Sequence, residues 1–199
     1  MDVSRIADAV IGNLFVEMEA SGRHVHVTRE QAQVLFGHDL TPKRPLSQPG
    51  QYLAEERVTV QGTKGEFQNV AVLGPPRKEG QVELSLTDAR ALGIDAPVRL
   101  SGDTAETPGA VLVGKNGSVT LPRGVIVAQR HIHLTPEAAN RFGVRHGQQV
   151  CLQTLTERPL IFRQVAVRVS PEFASYAHLD YDEANACGFR KGDLGRILP

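Results

Sequence analysis

Five of the seven histidines fall in positions that repeat along the chain. Arg23-His24-Val25-His26-Val27-Thr28 returns as Arg130-His131-Ile132-His133-Leu134-Thr135, and both copies run on to a Glu, an Ala and a Phe-Gly pair. In a strand, residues two apart project from one face, so each pair aims two imidazoles the same way. Imidazole nitrogen is a favoured ligand for zinc and similar divalent ions. A single His-x-His on a strand is more often an ordinary surface or hydrogen-bonded pair, and it is the duplication that makes ligand sets the better reading.

A metal held by two imidazoles needs a third ligand, and the second part of the repeat offers one. Asn69-Val70-Ala71-Val72 matches Gln164-Val165-Ala166-Val167, and at the same offset the segment from Glu83 to Ala89 matches that from His178 to Ala184. Glu83 and His178 therefore occupy equivalent places, and both are ligand types. Two triads result: His24, His26 and Glu83 for one ion, His131, His133 and His178 for the other. The alternative is that a third ligand crosses to the other histidine pair. Three protein ligands leave a coordination position open, as catalytic sites do. His38 and His146 sit beside glycines in turn-like contexts and read as surface residues.

Two segments suit an anion. Gly74-Pro75-Pro76-Arg77-Lys78 sets a guanidinium on a stiff turn shortly before Glu83, and arginine's planar fork matches phosphate oxygens. The turn Ser101-Gly102-Asp103 offers backbone N–H groups, unless it is a plain connector. Arg23 and Arg130 alternate away from their neighbouring histidines, so they are expected to pair with carboxylates elsewhere.

The elements that must position these groups are mainly strands. Runs at Val58–Val60, Val70–Leu73, Val82–Leu86, Val111–Val113 and Val165–Val169 are separated by Gly, Pro and Asn turns. Trp is absent and aromatics make up 5% of the chain, which favours short strands over a helical bundle. Short helices are expected after Thr28 and Thr135, and around Thr87–Arg90 and Asp182–Asn185.

The fold class expected is mainly β, two related small β-barrel domains with short helices and an N-terminal amphipathic helix. The boundaries read as 1–20 for that helix, 21–105 for the first barrel repeat and 106–199 for the second, the first strands being free to cross between barrels. Val3, Ile6, Ala7, Val10, Ile11, Leu14, Phe15 and Met18 make the helix's apolar stripe. It packs on the body or on a second copy, or it docks in a partner's groove.

The 199 residues carry a net charge of zero, which gives no sequence-wide field for nucleic acid or an anionic membrane. Cys151 and Cys187 have no paired spacing, no secretory signal precedes them, and no apolar run reaches the roughly 20 residues of a membrane span, so a cytoplasmic location is expected.

These motifs carry a family resemblance. Arg-His-Val-His, the segment Leu40–Tyr52, Leu73–Lys78, Gln81–Arg90, Arg-His-Ile-His and His178–Ala186 resemble the PduL-type phosphotransacylases, or phosphate propanoyltransferases, from about residue 21 to the C-terminus. The resemblance implies two β-barrels with the active site between them, two zinc ions per chain, and reversible conversion of a short-chain acyl-CoA plus phosphate into acyl phosphate plus coenzyme A. It assigns zinc to the two triads above, phosphate contacts to Arg77 and the backbone of Ser101, and coenzyme A contacts to Ser21, Arg44, Leu73 and Asn185. Arg44 stands where the family carries Lys, and Ala71 where it carries Arg. Arg77 is expected to act in catalysis, with phosphate attacking the thioester directly and no serine or cysteine nucleophile. The resemblance also implies a bacterial microcompartment setting, with a shell or cargo contact through residues 2–18, as the alternative to the homodimer that the apolar stripe itself suggests. The rival functions are a zinc-dependent hydrolase and a non-catalytic binding module.

Overall fold

The computed structural model describes Gly12 and residues 14–198. Two compact units share them: one is Gly22–Ala128, and the other joins the first strand to the chain from Gln129 onward.

In the latter unit, β1 (Val16–Ser21) closes a six-stranded barrel with strands numbered here by their place in the whole chain: β11 (His131–Leu134), β12 (Gln149–Leu155), β13 (Ile161–Val169), β14 (Tyr176–Asp180) and β15 (Leu194–Leu198). The order round the barrel is β1-β14-β11-β13-β12-β15. Closure leaves no open edge. Its interior is filled by Val16, Met18, Ile132, Leu134, Leu152, Val165, Val167 and Leu179, all buried.

The Gly22–Ala128 unit is a nine-stranded sheet. Its strands are β2 (His24–His26), β3 (Pro42–Pro45), β4 (Tyr52–Gln61), β5 (Glu66–Gly74), β6 (Gln81–Leu84), β7 (Val98–Arg99), β8 (Ala110–Val113), β9 (Ser118–Leu121) and β10 (Val125–Ala128). They run in the order β7-β10-β6-β2-β5-β4-β8-β9, with β3 on β4. Val25, Val27, Val60, Val72, Val82, Leu112 and Val125 form its core.

The duplication is visible in the pairing. β2 lies antiparallel to β6 with His24 opposite Glu83, and parallel to β5 with His24 opposite Ala71. β11 repeats both relations, with His131 opposite His178 on β14 and opposite Ala166 on β13. Asn69 and Gln164, equivalent in the repeat, both take left-handed backbone angles (φ 58° and 56°), a conformation uncommon for residues with a side chain.

Four short helices, α1 (Arg29–Phe36), α2 (Leu86–Leu92), α3 (Pro136–Phe142) and α4 (Tyr181–Cys187), each follow one of these paired strands. Their N-caps are Thr28, Ser85, Thr135 and Asp180, whose side chains accept from backbone N–H groups of the first turn. Each helix stops at a left-handed glycine, at Gly37, Gly93, Gly143 and Gly188. The helices are thus stopped at both ends by local chemistry, which fixes how the chain leaves each of these strands.

Two expectations differ from what is seen. Residues 1–11 and 13 of the amphipathic segment, and with them most of the proposed docking stretch 2–18, lie outside the described residues. From Val16 the chain is strand, not helix: Val16 and Met18 alternate into the barrel core, and pairing with β14 outweighs the helical spacing of the stripe. The first unit extends beyond residue 105 to Ala128, because the β8–β9 hairpin pairs with β4 through Thr59 and Val113. Cys151 and Cys187 are free thiols. Among the described residues no helix is long and apolar enough to cross a membrane.

Candidate metal centres and anion site

β2 is three residues long and buried throughout. Val25 enters the core, and the alternation turns both flanking histidines to the opposite face, toward Glu83 on the antiparallel neighbour β6. Nitrogen of each ring and an oxygen of Glu83 lie within 4.8 Å of one another. His24 Nε2 is 3.5 Å and His26 Nε2 3.4 Å from Glu83 Oε1. The other nitrogen of His24 contacts the Gly22 carbonyl at 2.8 Å, an outer hydrogen bond of the kind that fixes a ligand's tautomer.

β11 builds the second group the same way. Nitrogens of His131, His133 and His178 lie within 4.8 Å of one another. His131 Nδ1 is 2.8 Å from the Gln129 carbonyl, repeating the His24 arrangement. The His131 and His178 rings stack at 4.9 Å, and Phe173 closes over His133 at 4.2 Å. No carboxylate belongs to this triad. Glu83 clusters with His24 and His26, and His178 with His131 and His133.

Whether these groups suit a cation is tested by their buried nitrogens. Among the described residues, both ring nitrogens of His133 and Nδ1 of His26 are buried with no hydrogen-bond partner, and His26 Nε2 has only the 3.4 Å approach of Glu83. Such groups cost about 1–3 kcal/mol each unless something engages them. A bound metal ion would do so. Burial pushes the His26 ring down to about 4 and, with help from His131 and Arg168, the His133 ring down to about 3. Both are neutral near pH 7 and so already in the form a metal requires. Burial raises the Glu83 carboxyl, but His24 and His26 outweigh it and hold the group well below the usual carboxylate range. At His24 burial opposes the charged ring, and Glu83 reverses that to a raised value.

Around Glu83 stands a polar cluster. Gln81 Nε2 and Ser101 Oγ each donate to Glu83 Oε1 at 2.6 Å, and Arg77 Nη1 donates to Ser101 Oγ at 2.8 Å. Arg77 Nη1 is 4.0 Å from Glu83 Oε1. Arg77 and Ser101 are thus both beside the His24, His26 and Glu83 group. In the Ser101 turn, the Gly102 N–H is taken by Gln81 Oε1 and the Asp103 N–H by the Leu100 carbonyl. The turn is therefore not an open ring of donors; Ser101 contributes chiefly a hydroxyl aimed at Glu83. Sequence reasoning missed Gln81. Its signal was its place two residues before Glu83, hence on the same face of β6.

The remaining expected residues divide between the units. Arg44 on β3 is exposed and Leu73 on β5 half-buried, joined in register through Leu53 of β4. Ser21 lies at the end of β1 opposite Asp180, and Asn185 is exposed on α4. Arg23 and Arg130 turn from their histidines, to Asp88 at 2.7 Å and Glu183 at 2.6 Å. His38 and His146 are exposed.

Fold and sites together define a β protein of duplicated design, with one three-residue candidate ligand group in each unit, buried in the first and partly buried in the second. Its sequence places it further. Residues 17–190 match the family model described as phosphate propanoyltransferase. The phosphate propanoyltransferase of Enterococcus faecalis is 56% identical over 92% of this chain and 87% of its own. That of Listeria monocytogenes is 55% identical over the same shares, and that of Clostridioides difficile 48% over 98% and 95%. The chain belongs to the phosphate propanoyltransferase family and is an enzyme, a transferase.

Proposed function

We propose that the chain moves a short acyl group, propanoyl or acetyl, between coenzyme A and inorganic phosphate, with one zinc ion in each triad. The observation that carries this reading is the pair of three-residue clusters of metal-ligand types on repeat-related strands, with a guanidinium and a hydroxyl beside one of them, in a member of this family. Bound zinc supplies Lewis acidity toward thioester and phosphate oxygens and toward the departing sulfur. His24, His26 and Glu83 hold one ion, and His131, His133 and His178 the other.

The chain's own residues do the rest. Arg77 is suited to pair with two oxygens of phosphate and to neutralise charge as the thioester carbonyl becomes an oxyanion. Ser101 and Gln81 fix Glu83, and Ser101 also steadies the Arg77 guanidinium. The Ser101 backbone adds a phosphate contact. Ser21, Arg44, Leu73 and Asn185 contact coenzyme A. A phosphate oxygen forms the new bond to the acyl carbon, the carbon–sulfur bond breaks, and coenzyme A leaves as thiolate to be protonated by solvent. Neither serine nor cysteine is acylated; Cys187 is buried, and its thiol is raised by that burial.

The test is release of coenzyme A from propanoyl-CoA and acetyl-CoA with and without phosphate. Release that requires phosphate and yields acyl phosphate is expected, with kinetics of a ternary complex. Phosphate-independent release would indicate a hydrolase, and no release a binding module.

A further inference from the structure

The two triads differ in charge: one contains a carboxylate and the other three imidazoles. The strand next to each third ligand differs in the complementary way. β1 runs parallel to β14 with Glu19 opposite His178, and β10 runs parallel to β6 with Ile126 opposite Glu83. The repeat gives the same correspondence, since Glu19 stands five residues before His24 and Ile126 five before His131. Where the ligand is a carboxylate its neighbour is apolar; where it is an imidazole its neighbour is an acid.

Glu19 Oε2 lies 3.5 Å from His178 Nδ1. His24 and His131 each have Nδ1 against a backbone carbonyl at 2.8 Å. At His178 the carboxylate takes the carbonyl's place, which leaves Nε2 for the cluster. A carboxylate behind a ligating imidazole fixes its tautomer and raises its basicity. The same group beside Glu83 would repel it.

We propose that Glu19 is a positioning residue of the second centre, orienting His178 from outside the ligand shell and supplying the negative charge that Glu83 supplies from within the first. This rests on the reading that each triad holds zinc. The Glu19 side chain is 40% exposed, so solvent weakens the effect, and the loss belongs at the low end of the 10- to 100-fold range for outer carboxylates.

The experiment is a zinc titration of the full chain against a competing chelator, for wild type, Glu19→Gln and Glu17→Gln. His178→Ala marks which equivalent belongs to the second centre. Glu17 is the control because it carries the same charge one step along the same face of β1, opposite Tyr176. Expected are two equivalents in wild type, one of them weakened about tenfold in Glu19→Gln, the His178-dependent one. Glu17→Gln should match wild type. Wild-type affinity in Glu19→Gln, or an equal loss in Glu17→Gln, overturns the role of Glu19 and leaves the zinc reading standing. Fewer than two equivalents in wild type overturns both.

Discussion

Glu83 shows how much one oxygen atom organises: Oε1 faces both histidines of its triad and accepts from Gln81 and Ser101. Arg77 reaches it through Ser101, which places a guanidinium near the ligand group without joining it. Arg77→Ala is expected to lower kcat by about two to three orders of magnitude, the scale for losing one donor to transition-state charge, with both zinc equivalents retained. Steady-state rates and elemental analysis separate this from a change in metal loading. The buried imidazoles give a second expectation, for metal-free protein. His26 and His133 resist protonation down to about 4 and about 3 in the fold, whereas an unfolded histidine takes its proton near 6.5. Between those values the unfolded state binds more protons at these two positions, so the stability they contribute is complete above about pH 6.5 and drains as pH falls through the folded values, while the raised His24 ring offsets part of that loss. Urea midpoints of metal-free protein should drop steadily from pH 7 to pH 5, and less steeply in His133→Asn.

At the scale of the element, the capped turns after each histidine strand hold the register that aims the imidazoles. Thr135 is the N-cap of α3, its hydroxyl accepting from the Ala138 N–H. Thr135→Ala is expected to cost about 1 kcal/mol of unfolding free energy, and Thr135→Ser little, as judged by denaturant midpoints. Such caps were legible in the sequence, as Thr-Arg-Glu and Thr-Pro-Glu, because capping depends on neighbours three residues apart. Both triads were legible for a similar reason: period-two spacing and duplication locate His24, His26 and Glu83 without any long-range information. What escaped was set by partners distant in sequence. β1 read as a helix because Val10, Leu14 and Met18 keep helical spacing, while its strand state comes from β14, more than 150 residues away. Gln81 and Glu19 escaped likewise, since each matters through a side chain on another residue's face. The pairing of β8 with β4, which carries the Gly22–Ala128 unit past residue 105, leaves no local mark in the sequence.

For the whole molecule, each candidate ligand group lies within one unit, with its own core: His24, His26 and Glu83 in Gly22–Ala128, and His131, His133 and His178 in the barrel that contains β1. Metal binding stabilises only the state that holds the ligands together, by about 2.7 kcal/mol at free ion 100-fold above its dissociation constant. That stabilisation should appear in the unit that owns the site. His178→Ala is therefore expected to retain one zinc equivalent, and adding zinc to its metal-free form should slow amide exchange in β2, β5 and β6 while leaving β11, β13 and β14 as they were. Glu83→Gln should give the converse pattern, and the metal-free wild type should gain protection in both sets. Hydrogen exchange read by mass spectrometry resolves these strands, because peptides from the two units do not overlap. If a single remaining ion protected both sets equally, the units would unfold as one cooperative body, and stability at the two centres would be shared despite their separate ligands.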